Sequence, residues 1–147
     1  MNWSPTALAP ETRAGKELMH SVFGNGWRPA SASERIEAGL SFTALASFIA
    51  GQDKDAVLQA LRISKRTFDR RREQGRLLPE ESDRLYRLVQ LYGLAADVMG
   101  NEDAGKDFMT TPARALAGRT PLETVRNEAG AKQVEDLLLR IEYGVYG

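Results

Sequence analysis

The sequence predicts an all-α fold, a helix-turn-helix followed by a second helical region, on three observations. Apolar residues recur at three- and four-residue steps along most of the chain from Ser33 onward, the period of one helix face. Gly, Pro, Ser, Thr and Asn fall between those runs, where helices begin and end. Within residues 53–76, DKDAVLQALRISKRTFDRRREQGR, a short apolar helix meets a basic one at a tight Ile63-Ser64 joint, the layout of a motif that lays its second helix against DNA.

Residues 1–30 hold Pro5, Pro10, Pro29, Gly15, Gly24 and Gly26, with a short helix expected over Thr12–Phe23 and a turn at Gly24-Asn25-Gly26. This segment reads either as a loosely packed arm or as a small docking element, with Trp3, Phe23 and Trp27 as local apolar anchors. Ser33 is the expected cap of the next run. There Ile36, Leu40, Leu45, Phe48 and Ile49 form an apolar set broken at Gly39 and Ser41, so that a helix over Ser41–Ala50 stops at Gly51. Val57, Leu58 and Leu61 give the inward face of the first helix of the DNA motif. Ser64 suits the N-cap of the second, and Ile63 and Phe68 stand where a hydrophobic staple would fix its angle.

Pro79 opens the next helix, with Glu80, Glu81 and Asp83 near its start, where negative charge complements the helix dipole. Leu85, Leu88, Val89, Tyr92, Ala95, Ala96 and Met99 make one long apolar stripe, expected to form the central strut and to face either the core or a dimer seam. Gly93 in that stripe would permit a close helix crossing. Short helices over Ala104–Met109 and Ala113–Ala117, a capping box at Thr120 and Glu123, and a last helix from Asn127 to Tyr143 complete the pattern. Three units result: 1–30, an arm or docking element; 31–78, the helix-turn-helix region; and 79–147, the second helical region.

Charge is unevenly spread. The whole chain is neutral, with 20 basic and 20 acidic residues, yet residues 62–76 hold seven basic residues against Asp69 and Glu73. Such a block, nearly free of acids to pair with, is the electrostatic footprint of a phosphate-binding element. The candidate DNA-binding set is Ser64, Lys65, Arg66, Thr67, Arg70, Arg71, Arg72 and Arg76. Lys65, Arg66, Thr67 and Arg70 lie in the first two turns, where base edges are reached; Arg71, Arg72 and Arg76 are placed for phosphates.

The composition also excludes. The absence of cysteine removes disulfides, thiol catalysis and cysteine-ligated zinc, and fits a reducing cytosol. A single histidine, His20, cannot form a metal cluster or pair with a nucleophile, and no Gly-rich phosphate loop follows a strand. A protein that is not an enzyme, needs no cofactor or metal and is soluble and cytoplasmic is expected, since neither a signal peptide nor a run of about 20 apolar residues is present.

The second half carries a succession of motifs: Pro79 to Leu88, PEESDRLYRL; Phe108-Met109-Thr110-Thr111-Pro112 with Leu116 and Gly118; Thr120-Pro121-Leu122-Glu123; Glu128-Ala129-Gly130-Ala131; and Val134 to Val145. In combination these resemble the antitoxin family grouped as MbcA, ParS and Xre, over roughly residues 30 to 147. Family members commonly have Trp-Leu where this chain has Phe108-Met109, and Asn where it has Ala113; Cro-type repressors often have Trp near the place of Arg71-Arg72. The resemblance implies an all-α fold in which a Cro-like helix-turn-helix bundle forms the DNA-binding half, a dimerising and toxin-binding helical half over 79–147, and a RES-domain partner toxin that degrades NAD. It also implies that the protein represses its own operon by binding double-stranded operator DNA.

From Leu77 onward the chain has 8 basic and 12 acidic residues, a poor surface for DNA but a fitting one for a cleft built to hold NAD phosphates. The tail from Ile141 to Gly147 is the expected plug of that cleft, with Ile141, Glu142, Tyr143, Gly144, Val145 and Tyr146 as the toxin-binding set. A homodimer within a larger toxin–antitoxin complex would read a palindrome. The alternative is a stand-alone helix-turn-helix repressor without a toxin partner.

Overall fold

The structure, a computed structural model, describes residues 13–144. Their helices are α1 (Arg13–Phe23), α2 (Ala32–Ala38), α3 (Phe42–Ile49), α4 (Lys54–Leu61), α5 (Lys65–Gln74), α6 (Pro79–Met99), α7 (Glu102–Thr110), α8 (Pro121–Thr124) and α9 (Glu128–Glu142). Short 3-10 turns at Pro29–Ser31 and Arg114–Leu116 join some of them.

The sequence stripe of α6 becomes core. Leu85, Val89 and Ala95 are fully buried, and α1, α2, α4, α7 and α9 all pack on this helix. A helix enclosed on so many sides has to be apolar beyond a single stripe, and Leu91 and Leu94 are buried too. Its N-terminus is fixed by half a capping box, the Leu78 N–H donating to Glu81 Oε1 at 2.9 Å. Against its far end lies α7, at a spacing only glycine allows: a Cβ on Gly105 would stand 2.7 Å from the backbone nitrogen of Ala96.

Residues 13–28 dock on their own chain. Leu18, Met19, Val22, Phe23 and Trp27 join the core. The Gly15 N–H donates to Asp97 Oδ1 at 2.8 Å, and the Trp27 indole N–H donates to Tyr86 Oη at 3.1 Å. His20 lies at the surface with its ring edge-on to Trp27. Trp3 lies outside the described residues.

Local signals account for most helix ends. Ser41 caps α3 by accepting from Thr43 N at 3.1 Å, and Gly51 beyond it takes φ 78°. Asn101 caps α7 by accepting from Ala104 N at 2.8 Å, so this helix starts at Glu102 rather than at the expected Ala104. Thr120 and Glu123 form both halves of the expected capping box, at 2.8 and 3.0 Å. Ser33, expected to cap, instead lies inside α2; Ser31 holds the cap position, and its hydroxyl donates to the Arg28 carbonyl. Among the described residues no helix is long and apolar enough to cross a membrane.

One buried group stands apart. Tyr92 packs edge-on against Phe48 at 4.8 Å, and its hydroxyl has no hydrogen-bond partner among the described residues; burial pushes its pKa well up. An unmade buried hydrogen bond costs about 1–3 kcal/mol. Tyr92→Phe is therefore expected to stabilise the fold by about 1 kcal/mol, read as a higher urea midpoint at unchanged slope; a lower midpoint would show that the hydroxyl is satisfied.

Candidate DNA-binding and partner-binding surfaces

The turn between α4 and α5 is built on a left-handed residue. Arg62 takes φ 56°; its N–H donates to Gln59 O at 3.1 Å, and the Ile63 N–H donates to Leu58 O at 2.9 Å. These two bonds form a Schellman cap, which reverses the chain while satisfying the last carbonyls of α4. Ile63 then turns inward, and Ser64 starts α5 by accepting from Thr67 N at 3.0 Å. The far end of α5 is pinned where the Phe42 N–H donates to Gly75 O at 3.0 Å and the Leu77 N–H to Leu40 O at 2.8 Å.

Two side chains seat α5. Phe68 is buried against Phe42, with ring centroids 5.0 Å apart, and Lys54 Nζ lies 4.2 Å from its ring centre. Arg71 is 5% exposed and grips Glu81 of α6 in a two-bond pair, Nε to Oε1 at 2.7 Å and Nη2 to Oε2 at 3.0 Å. Burial opposes ionisation of the Glu81 carboxyl, yet the hydrogen bonds from Arg71 and the Leu78 backbone outweigh it and hold the group below the usual carboxylate range. The hydrogen bonds that Arg71 donates to Glu81 likewise raise the Arg71 pKa.

This corrects two expectations. Arg71 points into the protein and is spent on Glu81, so it is not free to meet a phosphate. The basic block also has acidic partners: beyond Glu81, Asp69 accepts from Arg72 Nη2 at 2.7 Å on the open surface. The remaining candidates divide as follows. Lys65, Arg66 and Arg70 are exposed on α5. Ser64 and Thr67 are tied to each other through their hydroxyls at 3.0 Å, Ser64 donating. Arg76 is exposed but anchors one terminal nitrogen on the Ala38 and Gly39 carbonyls. Lys54 and Arg62, outside the predicted set, bring further positive charge beside the motif; both stand at helix ends, which is the signal that would have found them.

The other predicted surface is the end of α9. Val134 and Leu138 bury its inner face, leaving Ile141 half-buried, Glu142 and Gly144 exposed and Tyr143 73% exposed. Val145 and Tyr146 lie outside the described residues.

Residues 31–90 match the antitoxin Xre-like helix-turn-helix domain, and residues 94–144 match the antitoxin Xre/MbcA/ParS C-terminal toxin-binding domain. The chain belongs to the Xre/MbcA/ParS antitoxin family. It is 41% identical to an antitoxin Xre of Yersinia enterocolitica over 96 residues, 63% of this chain and 64% of that protein. It is 35% identical to an antitoxin Xre of Pseudomonas putida over 86 residues, 58% of this chain and 54% of that one. A third antitoxin Xre, from Photorhabdus laumondii, is 33% identical over 94 residues, 63% of this chain and 64% of its own length. The chain thus spans less than two thirds of the length of the curated relatives it matches. The two family segments meet inside α6, and α1 precedes both.

Breaking a buried pair from one side strands a charge. Glu81→Gln is expected to destabilise by about 3 kcal/mol, whereas Arg71→Met with Glu81→Leu should recover most of that loss; urea unfolding of the two variants checks both. The pair also sets a pH dependence. The Glu81 carboxyl is held below its unfolded value of about 4.3, so its contribution is complete above that pH and is lost as the pH falls through the lower folded value. Acid unfolding of wild type against Glu81→Gln should show this term missing in the variant.

Proposed function

We propose that this chain is the antitoxin of a type II toxin–antitoxin pair, binding and occluding a RES-domain toxin that degrades NAD and repressing its own operon. The observation that carries the reading is the joining, through one helix, of a capped helix-turn-helix exposing Lys65, Arg66 and Arg70 to a domain matched as toxin-binding. That match at residues 94–144 speaks against a stand-alone repressor, for which the second domain would have no use.

On the DNA side, α5 enters a major groove with the first two turns toward base edges while Arg72 and Arg76 approach phosphates. The exposed Asp69 pair does not forbid this, because surface ion pairs are worth roughly 0–1 kcal/mol and a phosphate can displace one. One helix reads few bases, so two chains related by a two-fold axis read a palindrome. On the toxin side, the last turn of α9 and the tail cover the NAD cleft, Tyr143 and Tyr146 giving contact area and Glu142 meeting a toxin arginine. Inhibition is steric and electrostatic, and this chain performs no chemistry.

Two measurements test the halves separately. Arg70→Ala is expected to lower the salt dependence of operator binding by about one unit of log–log slope if Arg70 meets a phosphate, or to relax preference at one base position if it meets a base; an unchanged slope and preference would remove it from the interface. A chain ending at Arg140 is expected to keep its fold by circular dichroism and operator affinity while losing inhibition of the co-expressed toxin. Full inhibition by that chain would overturn the tail's role.

A further inference from the structure

Where the end of α4 meets the middle of α6 and the junction of α8 with α9 lies a cavity of about 250 Å³, walled by both family segments. Leu61, Leu88 and Leu91 contribute apolar wall, and four arginines reach it: Arg62, Arg84, Arg87 and Arg126. Three carboxylates also line it. Arg87 engages two of these, Asp83 at 2.8 Å and Glu128 at 3.2 Å, leaving Glu80 against the other three arginines. Among the described residues no carboxylate lies within ion-pair distance of Arg62, Arg84 or Arg126. Arg126 Nη2 reaches only the Gln59 amide oxygen, at 3.4 Å.

Arg84 is the centre of this arrangement. It is half-buried, and its Nε donates to the Leu61 carbonyl at 2.7 Å, which leaves both terminal nitrogens uncommitted. Burial, then the nearby charge of Arg62, disfavour its cationic form and outweigh Glu81, Glu80 and Asp83, which favour it. Such a guanidinium edge matches the two oxygens of a carboxylate or phosphate. The volume is below the roughly 300–1,000 Å³ of pockets for drug-sized ligands, which selects a compact anion and excludes a nucleic-acid strand.

We propose that this cavity binds a small phosphate- or carboxylate-class anion, held by the free edge of Arg84 and closed over by Arg62 and Arg126. Bound there, the anion bridges the turn before the recognition helix to the α8–α9 junction, linking the two domains. The inference is independent of operator and toxin binding.

Amide chemical shifts of the full chain, titrated with sodium phosphate and separately with malonate against sodium chloride at equal ionic strength, test it. Saturable one-site shifts at Leu61, Arg62, Arg126 and Asn127 are expected with at least one of the two, and the better ligand separates phosphate from carboxylate. Arg84→Met should weaken them by at least about tenfold, in keeping with loss of a bidentate contact, while shifts at Lys65, Arg66 and Arg70 persist. Should Arg84→Met unfold, Arg126→Met is expected to weaken the same shifts. Shifts confined to α5, matched by chloride, or untouched in the folded variant would overturn the site.

Discussion

The buried bond between Arg71 and Glu81 decides which cations of α5 face outward. Taking two charges out of water costs several kcal/mol per ion, and the loss is offset only where geometry is good and remaining polar atoms are bonded. Here two of the three guanidinium nitrogens meet both carboxylate oxygens, the third donates to Gln74, and one of those oxygens also accepts from the Leu78 backbone. The pair therefore adds less to stability than its distances imply and more to orientation. With Arg71 and Phe68 turned inward, Lys65, Arg66 and Arg70 are left on the open side of the helix.

Glu81 is also part of the cap that starts α6, so the same carboxylate orients α5 and begins the helix on which the molecule is built. From there α6 runs through both family segments without a break. Further polar links cross between the segments: Arg87 to Glu128 and Arg126 to Gln59. Packing of α8 directly on α4 adds an apolar connection. The two domains consequently share a core instead of meeting at a linker.

Much of this was legible in the sequence because it is written locally. Caps at Ser64 and Thr120 need only a side chain and an N–H three residues on. The inward face of α6 follows from helical spacing alone. Charge alone assigns Arg71 to the phosphates, whereas its position three residues beyond Phe68 puts it on the same inward face. The seat of α1, the cavity at Arg84 and the partner of Arg71 depend on which elements meet. Spacing fixes the face a helix buries, but leaves open what it buries that face against.

The docking of α1 has a consequence for the chain as it is made. Its apolar side leaves the ribosome early, while Tyr86, which receives the Trp27 indole, follows 59 residues later. At about 5–20 residues per second, that is a wait of roughly 3–12 s. Throughout that interval Leu18, Met19, Val22 and Phe23 have no α6 to cover them. The apolar side of α1 therefore waits uncovered by its main partner, although in the finished fold it is well buried.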